Sequence, residues 1–79
     1  MRVLGGRADR NLRFVEITGL LLRLGFDERI HGSHHIFTRT GIEEIINLQP
    51  GDGGHAKPYQ VRQVRAIILR YRLAGEDPS

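Results

Sequence analysis

Three of the four histidines of this chain stand within five positions, in His31-Gly32-Ser33-His34-His35-Ile36-Phe37, and the fourth, His55, lies in a glycine-rich stretch that ends on Lys57. Imidazole ordinarily titrates at about pH 6.5, so it is the side chain best suited to accept and return a proton at neutral pH. Proton transfer at a reacting group is one use of such a cluster, and metal ligation is another. A metal centre needs at least three converging imidazoles, thiolates or carboxylates. His31, His34 and His55 are the candidates, but their spacing matches no zinc motif and the chain has no cysteine to assist. The expectation is therefore no metal and no cofactor. The plain alternative is that His34 and His35 are ordinary strand residues, each with one satisfied nitrogen.

In an extended segment side chains alternate between the two sides, so Ser33, His35 and Phe37 point one way while His34, Ile36 and Thr38 point the other. The two adjacent histidines cannot do the same job. One faces the core or its rim, and which one depends on whether Ile36 or Phe37 is buried. The expectation is Ile36 inward, which puts His35 on the open face.

Chemistry with phosphate is the second theme. Net charge is only +3, but eleven of the twelve basic residues are arginine, whose planar fork suits phosphate. From Lys57 to Arg72 five positive residues occur without an acid, whereas residues 27 to 56 carry Asp27, Glu28, Glu43, Glu44 and Asp52 against Arg29 and Arg39. One end of the molecule should be electropositive; the bland counterpart is a solvated helix face. The stretch Gly51-Asp52-Gly53-Gly54-His55-Ala56-Lys57-Pro58 is no nucleotide-binding P-loop, since no glycine precedes Lys57 and no serine or threonine follows it. A helix start beside Lys57 and His55 still offers free amides to one phosphate, partly opposed by Asp52.

The elements that must position these groups follow from periodicity. Residues 1 to 11 read as a flexible tail. Asn11 is a candidate cap, and Phe14, Ile17, Leu21 and Leu24 fall at helical spacing with Leu20 beside them. Gly25 is a natural stop. Gly19 inside this helix costs roughly 1 kcal/mol relative to alanine. Residues 26–30, 33–39 and 43–49 read as three antiparallel strands joined by turns at His31-Gly32 and Thr40-Gly41. Phe26, Glu28 and Ile30 share a face of the first; Ile42, Glu44, Ile46 and Leu48 share one of the third, with Ile45 opposite. Pro58 opens a second helix with Val61, Val64, Ile68 and Tyr71 on one stripe and Ile67 beside it, ended by Gly75 and Pro78. Residues 75 to 79 form a C-terminal tail. The order is α-β-β-β-α, an α+β fold with both helices on one face of a three-stranded antiparallel sheet and the other face open. Such a small domain buries a modest share of its surface, so a companion chain is expected. The longest apolar run, residues 19 to 26, is far too short to cross a bilayer, and no secretory signal precedes it; a cytoplasmic location away from membranes is the expectation.

A leucine-rich helix ending in Leu24-Gly25-Phe26, then a short strand, then the motif Gly-Ser-His-His-Ile-Phe at residues 32 to 37, a third strand, and a second helix entered through residues 57 to 64 together resemble the HicA toxin family. These are small endoribonucleases of bacterial toxin–antitoxin pairs with a double-stranded-RNA-binding-like fold. The likeness covers residues 12 to 74; the tail before it and the long glycine-rich loop depart from the compact members. The resemblance implies cleavage of mRNA without a metal, and inhibition by a HicB-type antitoxin that covers the active face. Its functional histidine maps onto His35, with Gly32, Ser33 and His34 as the supporting loop. Lys57, Arg62 and Arg65 are the expected RNA-binding residues, and a homodimer or a toxin–antitoxin hetero-oligomer the expected assembly. Two other functions fit the same chain: a non-catalytic module that grips structured RNA, and a domain that only docks a protein on its open sheet face.

Overall fold

The computed structural model describes residues 12–76; the expected tail of residues 1–11, the Asn11 cap and residues 77–79 with Pro78 lie outside the described residues. Helix α1 spans Phe14–Arg23, strands β1, β2 and β3 span Asp27–His31, His34–Thr38 and Ile46–Leu48, and helix α2 spans Pro58–Arg70. The sheet is an antiparallel meander in the order β1-β2-β3. The expected α-β-β-β-α order and three-stranded sheet are thus present.

Arg13 occupies the cap position of α1, without a side-chain cap bond. The helix holds because Phe14, Ile17, Leu20 and Leu21 all bury against the sheet. It ends as expected at Gly25, whose φ of +86° is open to glycine at little cost. The Gly25 amide donates to Leu22 O and the Phe26 amide to Leu21 O, both at 3.0 Å. This is the paired bonding of a Schellman stop, and Leu21 and Phe26 supply its apolar contact. The run Leu24-Gly25-Phe26 therefore sets the direction in which β1 leaves the helix.

β1 and β2 are joined by two residues, Gly32 and Ser33, one position later than the expected turn at His31-Gly32, with Gly32 at φ +60°. Positive φ at the first central position alone is the pattern of a type II′ hairpin turn, which glycine favours. The turn fixes the register: His31 faces His34, Ile30 faces His35, and Glu28 faces Phe37. β2 continues the rows into β3, pairing His35 with Leu48 and Phe37 with Ile46.

Three expectations are corrected. Phe37, not Ile36, turns inward: Phe37 has no exposed surface and packs in one cluster with Ile46, Leu48, Phe26 and both helices. On the central strand the larger ring buries more apolar area, and its parity matches Ile46 and Leu48. β3 is three residues long rather than seven, because Glu44 is drawn to Arg70, the last residue of α2, and to Tyr71 just after it, and Ile45 is left exposed. Helix α2 starts at Pro58 as expected, but it stops at Arg70 rather than near Gly75. Arg72 takes φ +55°, and a short 3-10 turn at Leu73–Glu76 brings Leu73 back into the core.

The glycine-rich loop is tied down. Gly51 donates its amide to His55 O at 2.8 Å, Ala56 donates to Leu12 O at 2.8 Å, and Arg13 and His55 form an antiparallel bridge. The loop thereby fastens the start of α2 to the start of α1. Among the described residues no helix is long and apolar enough to cross a membrane.

Candidate functional site

Alternation and register together decide where each imidazole stands. His35 shares the helix-facing side with Phe37 but lies one row nearer the turn, at the rim of the core. This reverses the expectation that His35 faces the open side. Its ring packs edge-on against Phe14, with centroids 4.9 Å apart and planes at 72°. Nδ1 lies 2.8 Å from Glu28 Oε2, and the side chain keeps 23% of its surface exposed. An ionised carboxylate only accepts, so Glu28 fixes Nδ1 as the protonated nitrogen and leaves Nε2 as the base. His35 is thus oriented on one side by an aromatic edge and on the other by a carboxylate, while still reachable from solvent.

His34 lies on the open sheet face, exposed, with Nδ1 3.0 Å from Asn47 Oδ1. Ser33 accepts a bond from the Gln49 amide at 2.8 Å, so the turn is pinned to the end of β3. Gly32 has nothing within 4 Å of the position a Cβ would take, so its requirement is conformational rather than steric. The three residues of the expected supporting loop therefore surround the turn that presents His35.

Helix α2 meets this end of the sheet through its first turn. Gln60 is buried, 3% exposed. Its amide donates to Gln49 O at 3.1 Å and accepts from Gln49 N at 3.2 Å and from the Tyr59 hydroxyl at 3.3 Å, in the orientation that satisfies all three. Gln49 directly follows Leu48, the partner of His35. Lys57, at the cap of α2, belongs to the same end. Arg62 is exposed and stands two residues from the fully buried Val64, about 200° around the helix, so it points away from the core. Arg65 is half-buried on the flank. Of the three expected RNA-binding residues, Lys57 is the one at the start of α2.

The other end of α2 holds a different cluster. Glu44 accepts from the Tyr71 hydroxyl at 2.6 Å and from Arg70 Nη1 at 2.7 Å. These bonds, Tyr71 first, hold the Glu44 carboxyl below the ordinary glutamate range. The bond to Glu44 pushes the Tyr71 phenol up, and the same carboxylate raises Arg70. A groove of about 460 Å³ runs here along Glu44, Ala66, Ile67, Leu69 and Arg70, away from His35.

Among the described residues no three His, Cys, Asp or Glu side chains converge as metal ligands; His55 instead sets its Nδ1 3.2 Å from Asp52 O within its own loop. Glu28 and Gln60 are the residues that sequence reading passed over. A signal for Glu28 was present: a two-residue turn at either His31-Gly32 or Gly32-Ser33 leaves Glu28 on the face of His35, and the observed register makes the two diagonal. No family model, characterised protein or solved structure matches the chain.

Proposed function

We propose that this protein is an endoribonuclease of the HicA toxin type that cleaves mRNA by proton transfer at His35 and is neutralised by a HicB-type antitoxin. The observation that carries the reading is the imidazole at the rim of the sheet, oriented through Nδ1 by Glu28. Such a base needs no cofactor to act on RNA. Nε2 takes the proton of a ribose 2′-hydroxyl, the 2′-oxygen bonds to the adjacent phosphorus, and the bond from phosphorus to the 5′-oxygen breaks. Solvent returns a proton to that oxygen, leaving a 2′,3′-cyclic phosphate and a 5′-hydroxyl. One positioned acid–base group contributes roughly 10² to 10⁴ in rate. Lys57, with the dipole of the α2 start, favours the phosphate.

The likeness of residues 32 to 37 to the HicA motif supports the same assignment. Purified protein incubated with an end-labelled single-stranded RNA should yield fragments bearing a cyclic phosphate. A shifted band without fragments contradicts the enzyme and favours the RNA-binding module.

A further inference from the structure

We infer that Arg13 and Lys57 form a grip for a backbone phosphate of RNA, built where the glycine-rich loop is fastened to the start of α1. The inference rests on the ribonuclease reading and adds Arg13, which no motif of the sequence singles out, to the surface that holds the strand. Arg13 and His55 are paired across an antiparallel bridge, and the Ala56 amide donates to Leu12 O beside it at 2.8 Å. His55 and Lys57 are both extended, at ψ 151° and 132°, so side chains alternate here as they do in a pair of strands. Leu12, Phe14 and Ala56 are buried, whereas Arg13 and His55 are exposed and Lys57 is half-buried. The inner row is therefore apolar, and the outer row is Arg13, His55 and Lys57. Arg13 and Lys57 are diagonal neighbours in that row, about 7–8 Å apart, which long side chains can close onto one ligand.

Both cations lie along the loop. A Cβ at Gly54 would stand 3.5 Å from Arg13 Nη2, and one at Gly51 would stand 3.3 Å from Lys57 Cγ. Asp52 is the one acid of residues 51–57. Among the described residues no ion pair engages Arg13, Lys57 or Asp52. Two like charges are thus held near each other with no carboxylate bonded to either, and their repulsion is relieved when an anion enters between them. The outer row carries no apolar side chain, so it lacks the core of a protein interface. It suits a phosphate, which arginine's fork and lysine's point charge both bind. Phe14 directly follows Arg13, and its ring packs on His35 with centroids 4.9 Å apart; a phosphate held here belongs to a strand that passes the imidazole.

The test uses the full chain carrying His35→Ala, titrated with a short single-stranded oligoribonucleotide at several chloride concentrations, each variant with its melting curve. Adding Arg13→Ala should weaken binding about 5-fold in about 0.1 M salt and reduce the slope of log affinity against log salt by about 0.7, the share of one phosphate contact. Lys57→Ala should do the same, and Arg13→Lys, which keeps the charge, should keep most of both. Arg29, paired with Ile36, lies on the opposite, open face of the sheet, and Arg29→Ala should leave the slope unchanged. An unaltered slope in Arg13→Ala, or a loss no larger than that of Arg29→Ala, with the protein folded, overturns the inference and leaves the two cations to an acidic protein partner. So does an absence of RNA binding by the His35→Ala chain. Failure of the ribonuclease reading shows separately, as an absence of fragments from the wild-type chain.

Discussion

The two ends of α2 each meet a carboxylate or its neighbours on the sheet, and they use them differently. At the last turn, Glu44 is saturated: a phenol on one oxygen and a guanidinium on the other leave it no further work than holding the loop before β3 against the helix. Towards the first turn, Glu28 holds an imidazole whose second nitrogen, on the proposed function, is left for a substrate, and the helix reaches the next residue of β3's chain, Gln49, through a neutral amide, Gln60. Pairing with arginine neutralises a carboxylate and ends its chemistry; pairing with histidine orients a base. The comparison separates a clasp from a site within one small domain.

Neutralising each carboxylate in turn is the strongest way to break this contrast. Glu28→Gln should lower kcat for RNA cleavage about 10- to 100-fold, part of the whole acid–base contribution, with little change in melting temperature. Nitrogen NMR of His35 should show the Nδ1-protonated tautomer in the wild type and lose that preference in the variant. Glu44→Gln should do the reverse, lowering the melting temperature and leaving cleavage intact. A Glu28→Gln enzyme at full rate would falsify the division of roles.

A smaller effect is expected at Gln60. Gln60→Ala strips partners from the Gln49 main chain and should destabilise by about 1–3 kcal/mol in urea unfolding, the cost of a buried polar group left unpaired. Neutral behaviour would mean that the first turn of α2 is not fastened to β3.

The pH dependence sharpens the other end. Because the folded carboxyl of Glu44 titrates below the ordinary value of 4.5, the stability it adds is complete above that value and is lost as pH falls through the depressed one. The Tyr71 phenol is raised above 10.0, so its contribution is complete below that value and fades as pH rises through the raised one. Melting temperature against pH should therefore fall at both limits. Tyr71→Phe should remove the alkaline limb and weaken the acid one; identical profiles for variant and wild type would contradict the clasp.

Much of the frame was legible because it rests on local chemistry. The stop at Gly25, the turn at Gly32 and the Pro58 start each follow from one residue's backbone preference, and the helical stripes from spacing. What failed needed contacts between distant residues. Ile36 and Phe37 alternate equally well in either direction, and only the parity of Ile46 and Leu48 across the sheet decides between them. β3 is cut short by Arg70 and Tyr71, some 26 residues away in sequence from Glu44. Within the site, the motif pointed to His35 but not to its orienting partner, which lies on the neighbouring strand. Arginine content suggested a binding face without telling Arg62, turned outward, from Lys57 at the start of α2.

The central claim is that, of two adjacent histidines, the one at the rim held by a carboxylate performs the reaction. Cleavage of one labelled single-stranded RNA by the wild type, His35→Ala and His34→Ala, each with its melting curve, tests it most directly. Loss of roughly 10² to 10⁴ in rate in His35→Ala alone, with the fold retained, is the predicted result. Cleavage that survives in His35→Ala, or that vanishes only in His34→Ala, contradicts it.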